Sequence, residues 1–226
     1  MSSIKEDLQI EFDGLRYEIR VANKNIADFS KRHFNSTREN ALVFCLQRAV
    51  ELAQGCDRTA EARLLAPVYV LTGGLFESLV WVCWITFSNE NAKAFIKATD
   101  NELKRVARKS LTNGHAKVRD KVTREDKTQE LLKSAWAKDI ERRIKIEEAA
   151  KVVGLEKLYI RVYSFLSMHA HGTTFGLTLR GNVDEKLTSV LALANVLMAC
   201  INLVVKNWIV ARKQTAASDI YDILKL

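Results

Sequence analysis

Between Leu155 and Gly176 the chain reads LEKLYIRVYSFLSMHAHGTTFG, so that Arg161, Ser164, Ser167, His169 and His171 crowd the end of an apolar helical run. An arginine can hold a phosphate or a carboxylate, a histidine can move a proton near neutral pH, and a serine hydroxyl can orient either group. Two of the four histidines stand here. Their counterpart is Glu77, the only charged side chain in the apolar run from Val68 to Phe87, because a charge among apolar residues persists only when it is paired or hydrogen-bonded.

Helical geometry divides this patch. At about 100° per residue Ser164, Ser167 and His171 share a face, Arg161 lies near its edge and His169 falls almost opposite His171. A helix that continues to His171 brings only that histidine to Glu77, whereas one that unwinds at His169 brings both. Gly172, Thr173 and Thr174 favour an ending there, which would leave both histidines at a helix C-terminus, where the dipole stabilises their charged form. Glu77, Arg161, His169 and His171 are therefore the candidate catalytic residues, with Ser164 and Ser167 as binding groups.

The spacings HExxH, CxxC and GxSxG are missing, so neither a familiar zinc site nor a serine nucleophile elbow is present, and no metal or cofactor is expected. Acid/base cleavage of RNA needs a histidine near its operating pKa and an arginine to stabilise phosphate charge, and the patch holds both types. If the chain is an enzyme, it is expected to be a metal-independent ribonuclease. A second reading stands beside it: a buried Glu–His–Ser network that fixes one arrangement of helices.

The elements that must position these groups read as helices. A chain of 226 residues, 48% hydrophobic and 27% charged, with one proline and nine glycines, can bury a sizeable core but has few of the turn signals of a β or α/β chain. The expected fold is all-α, a bundle of five to six main helices in a single domain over residues 1–226. Within it, 1–57 forms an amphipathic helical hairpin, 58–111 and 129–214 two core halves, 112–128 a mobile basic linker and 215–226 a tail.

Ile4, Leu8, Phe12, Leu15, Ile19, Ala22, Ile26 and Phe29 recur at spacings of three and four, which predicts one long amphipathic helix that packs inside the bundle or against a second copy. Ser36 with Glu39 forms a capping-box pattern that opens a second helix running to Gly55. A third begins near Thr59 and carries the apolar run, with Gly73 and Gly74 marking close packing or a kink. Asn89 caps a fourth helix to Leu111. Leu132, Trp136, Ile140 and Ile144 predict an amphipathic helix ending near Val153, and Asp184 opens the last.

Net charge is +8, which suits an acidic partner such as RNA. Lys104, Arg105, Arg108 and Lys109 concentrate it in the fourth helix, where they are candidate binding residues for phosphate. No aromatic residues interleave them, so a solvated charge run is the competing account. Cys45, Cys56, Cys83 and Cys200 are scattered and point to a reducing compartment. The polar, acidic start MSSIKEDLQIEFD is unlike a secretory signal, and a cytoplasmic location is expected. Val68 to Phe87 and Leu187 to Val205 are about long enough to cross a bilayer, but Glu77 in one and Asn195 and Asn202 in the other favour buried core helices over membrane spans.

The apolar helix with LFESLVWVCWI, the charged middle and the later YSFLSMHAHGT together resemble an uncharacterised, mainly bacterial helical family of the domain-of-unknown-function type DUF5677, over most of Thr59 to Ala211. In that family the later motif is an aromatic, a serine and a histidine followed by glycine, which falls on Tyr163, Ser167, His171 and Gly172 and makes Tyr163 a binding residue by resemblance. The earlier motif pairs an arginine with a glutamate one turn later; Glu77 matches it, whereas Gly73 occupies the arginine position. More distantly the chain is similar to the HEPN superfamily of helical bundles, many of them RNases or nucleotide-binding partners in toxin and phage-defence systems. Those enzymes carry Arg, a polar residue, four to six further residues and His; here Arg161 is followed by Val162 and stands farther from either histidine. The resemblance implies a homodimeric accessory or effector protein of a prokaryotic defence or stress system, with RNA and a protein of that system as partners.

Overall fold

The computed structural model describes residues 2–31, 36–134, 136, 144–170 and 182–224, which form an all-α helical bundle. Helix α1, Ser2–Lys31, is continuous because its stripe has one role: Leu8, Phe12, Leu15, Ile19, Ala22 and Phe29 are all buried. Helix α2, Thr37–Glu61, opens with the expected capping box, in which Glu39 N–H donates to Ser36 Oγ at 3.2 Å and Ser36 N–H donates to Glu39 Oε2 at 3.1 Å. It does not stop at Gly55. A Cβ there would lie 3.0 Å from Leu71 Cδ1, so the glycine serves close packing of two helices and not a C-terminal turn.

The next helix, α3, Leu65–Phe87, starts later than the sequence suggested. Arg63 takes a left-handed φ of 57° between the two helices, and Pro67 sits in the first turn of α3, where its missing N–H costs no hydrogen bond. Gly74 would bring a Cβ within 3.0 Å of Leu52 Cδ1, and Gly73 within 3.7 Å of Leu166 Cβ. Gly74 thus admits the close approach of α2, whereas at Gly73 a Cβ would make only ordinary contact.

The last long helix, α9 in the numbering used below, spans Val183–Ala211 and is capped by Asn182, which accepts from Asp184 N–H at 3.0 Å. It runs parallel to α1: Asn195 donates to Glu11 at 3.4 Å and Asn202 to Glu18 at 2.7 Å, a shift of seven residues on each helix. Helix α2 runs against α1, with Arg16 bound to Asp57 at 2.9 Å, and against α3 through the Gly55 and Gly74 contacts. Both α3 and α9 are long and apolar enough to cross a membrane, yet 72% and 56% of their apolar windows are buried inside the bundle. Val68, Leu75, Phe76, Leu79, Leu187 and Leu191 fill the core they share.

The chain divides into two compact units, Met1–Ala92 with Ile146–Leu226, and Lys93–Lys145. Helix α4, Asn89–Thr112, begins in the first and is the longest element of the second among the described residues. Ser88, not Asn89, accepts from the Asn91 N–H at 3.0 Å and caps it. The following segment, expected to be a mobile linker, forms turns: Lys127 N–H donates to Val118 O at 2.8 Å, and Asp120 accepts from Val122 and Thr123 N–H, each at 2.8 Å. Helix α5, Thr128–Lys133, is short. Ser134, Ile144 and Lys145 are not helical, so no single helix joins Leu132 to Val153; residues 137–143, Ile140 among them, lie outside the described residues.

The first unit resumes with α6, Ile146–Val152, and α7, Glu156–Leu158. A π-helical turn, Tyr159–Tyr163, leads directly into α8, Ser164–Ala170. Beyond α9, the expected tail contains helix α10, Ala217–Leu224.

Candidate functional site

Helix α8 and the π turn lie against α3, and they do so through the stripe Tyr159, Tyr163 and Leu166, spaced by four and three. Leu166 is 1% exposed and faces Gly73. Tyr163, one turn before Ser167 on the same face, is the group that meets the carboxylate: Tyr163 Oη donates to Glu77 Oε1 at 2.7 Å. Ser164 is exposed and its hydroxyl donates to Tyr159 O at 3.5 Å, while Ser167 is half-buried. The expected serine contact with Glu77 is therefore replaced by Tyr163. Among the described residues no cation stands within ion-pair distance of Glu77.

Aromatic rings fix the phenol. Tyr163 stacks on Tyr159 with centroids 5.1 Å apart and packs against the fully buried Phe76 at 5.5 Å. Phe165 meets Tyr69 edge-on at 5.9 Å. Burial pushes the Tyr159 hydroxyl up from its usual value, and the carboxylates of Glu147 and Glu77 push it further; burial does the same to Tyr69. The phenols are thus held protonated, as hydrogen-bond donors.

Arg161 does not join Glu77. Two positions before Tyr163 on a helix means roughly the opposite side, and its exposed side chain instead lines a depression of about 250 Å³ with Lys157, Leu158 and Tyr221. Helix α10 forms one wall of it, since Tyr221 Oη donates to Gly154 O at 3.1 Å. Gly154 has a φ of 77°, and a Cβ on it would lie 3.0 Å from Ala217 Cβ. A glycine is required there twice over, for its backbone and for the docking of α10.

His169 lies in α8, but its side chain and the whole of His171 are outside the described residues. The basic set on α4 belongs to the second unit. There Lys104 pairs with Asp100 at 3.0 Å and Arg105 with Glu102 at 3.0 Å, whereas Arg108 and Lys109 are exposed. Lys104 and Arg105 are thus spent on neighbouring carboxylates of their own helix. All four cysteines are buried and free; burial pushes the Cys56 thiol up to about 11, which makes it a poor nucleophile or ligand. Among the described residues no group of three or more His, Cys, Asp or Glu could hold a metal ion.

Lys157, Tyr159 and Tyr221 were missed by reading the sequence. The cations Lys157 and Arg161, one turn apart, were a visible signal. Tyr221 gave none, because nothing in DIYDIL says which surface it covers.

Fold and site together define an all-α bundle protein in which a tyrosine at the end of a π turn bonds a core-helix carboxylate while an arginine of the same turn faces outward. A family model matches residues 39–186, more than half of the chain, and the chain belongs to that family, the family of unknown function DUF5677. The match includes Glu77, Arg161 and Tyr163 and ends before α10. No curated protein and no solved structure matches significantly.

Proposed function

We propose that this protein is a HEPN-like accessory or effector protein of a bacterial defence or stress system, a cytoplasmic homodimer that binds and cleaves RNA without a metal ion. One observation carries the reading: Arg161 stands exposed on a π turn, with no carboxylate partner among the described residues, in the same continuous helix that reaches position 169. In a uniform α-helix positions 161 and 169 would differ by about 80°. The wide turn takes up part of that separation, which offsets the long spacing. An arginine there would neutralise charge on a phosphate while a histidine moves the proton of the attacking ribose hydroxyl.

Purified protein incubated with total RNA, beside His169→Ala, His171→Ala and Arg161→Ala, tests it. Cleavage should fall by about 100-fold or more in Arg161→Ala and in at least one histidine variant, each melting like the wild type. A wild-type protein that leaves RNA intact ends the enzymatic reading.

The second reading is a non-catalytic scaffold. It is favoured by the Tyr163–Glu77 bond, whose ring walls and half-buried setting secure α8 on α3. Loss of cooperative melting in Glu77→Ala, without any RNA cleavage by the wild type, is the result it expects.

A further inference from the structure

We propose that the depression between the π turn and α10 is a binding site for a phosphate monoester, seated by Lys157 and Arg161 over an apolar floor. Both cations are exposed, lie one turn apart on one face, and line the same cavity of about 250 Å³. Neither pairs with a carboxylate among the described residues; the adjacent Glu156 is instead bound to Lys151 at 3.0 Å. Arg16 and Arg105, both half-buried, are by contrast neutralised by acids. Lys157 and Arg161 thus present two positive charges, unanswered by any carboxylate of the described residues, to one cavity.

The chemistry of the ligand follows from charge and lining. A phosphate monoester carries close to two negative charges at neutral pH, which matches two cations where a carboxylate would leave one unanswered. The arginine fork can bind two oxygens while lysine acts as a point charge. Leu158 lies fully buried beneath the depression, and Tyr221 with the stems of Lys157 and Arg161 lines it, so the ester's organic part gains apolar contact that free phosphate lacks. The volume is below the roughly 300–1,000 Å³ of pockets for drug-sized ligands, which limits the ligand's seated part to a phosphate with one small ring or chain. Tyr221 keeps its hydroxyl on Gly154 O and holds the wall in place.

This site does not depend on RNA cleavage. A protein that binds the ester and leaves RNA intact keeps this inference and loses the preceding one, and the opposite result does the reverse. The probe is phenyl phosphate, titrated calorimetrically into the full chain, with inorganic phosphate and benzoate as comparisons. Saturable binding is expected, at least tenfold tighter than either comparison, and weakened at least tenfold in both Lys157→Ala and Arg161→Ala, which melt like the wild type because both side chains are exposed. Three results overturn it: no saturable heat with phenyl phosphate up to millimolar concentration, equal binding in both variants, or benzoate binding as tightly as the phosphate ester.

Discussion

The seam between α1 and α9 and the seam between α3 and α8 each bury polar groups among apolar side chains, and they do it differently. In the first, Glu11 with Asn195 and Glu18 with Asn202 repeat at a seven-residue interval, and Asn202 also donates to the Glu18 carbonyl at 3.0 Å while accepting from Asn25 at 3.3 Å. A repeat of this kind fixes the register of two parallel helices, since any slip by one turn breaks every bond together. In the second the bond from Tyr163 to Glu77 sits at a π turn with an exposed cation on the other side of the helix. Repetition in register marks architecture; a polar contact at an irregular turn marks a place where the fold has been adapted to something besides packing.

The contrast is broken most forcefully at Asn202, which is 5% exposed. Asn202→Ala removes both donations to Glu18 and leaves that carboxylate without its buried partner, at a cost of about 3 kcal/mol. Chemical denaturation reads it directly. If the proposed cleavage holds, it should be unchanged in the surviving folded fraction, because α8 packs on α3.

Tyr163→Phe sharpens the other side of the comparison. It deletes one hydroxyl and keeps the ring on Phe76 and Tyr159, and Glu77, being half-buried, can take a water in exchange. The expected loss is about 1 kcal/mol, well below that of Asn202→Ala, and, if the proposed cleavage holds, that cleavage weakens as the π turn beside Arg161 loosens. If both substitutions cost the same in denaturation and neither touches RNA, the two seams are one kind of structure and the distinction fails.

How much of this was legible depended on whether a signal was local. The capping box of Ser36 and Glu39, the stripe of α1 and the apolar runs of α3 and α9 were readable because each is specified by spacing within one helix. Glu77 was identified for the same reason, as a lone charge in an apolar run. That Tyr163 bonds it went unread, because the face assignment weighed only the serines and histidines although Tyr163 stands one turn before Ser167 on the same face; His171 lies outside the described residues. Gly55 was read as a helix end because the Leu71 side chain that demands a glycine there belongs to a different helix. The α10 wall of the pocket was invisible, since which surface a short helix covers is decided by the whole fold.

The smallest expected effects separate two regions by pH. At the meeting of α2 and α9, burial pushes the Glu39 carboxyl up, but the bonds from Ser36 and from the Arg212 guanidinium, at 2.6 Å, outweigh it and hold the group below its usual value of 4.5. A carboxylate whose folded pKa is depressed contributes stability above its unfolded pKa and loses it as pH falls through the folded one. Glu39→Gln should therefore flatten the loss of melting temperature below about pH 4.5. At the α3–α8 seam the sign reverses: Tyr159 is held above its usual 10.0 by burial and by the neighbouring carboxylates, so its contribution is complete below pH 10 and fades as pH rises through the folded pKa. Tyr159→Phe should flatten the alkaline limb and leave the acid limb alone. Melting curves of the two variants and the wild type across pH give both differences, and a Glu39 variant altered only on the alkaline side would contradict the assignment of acid sensitivity to the α2–α9 junction.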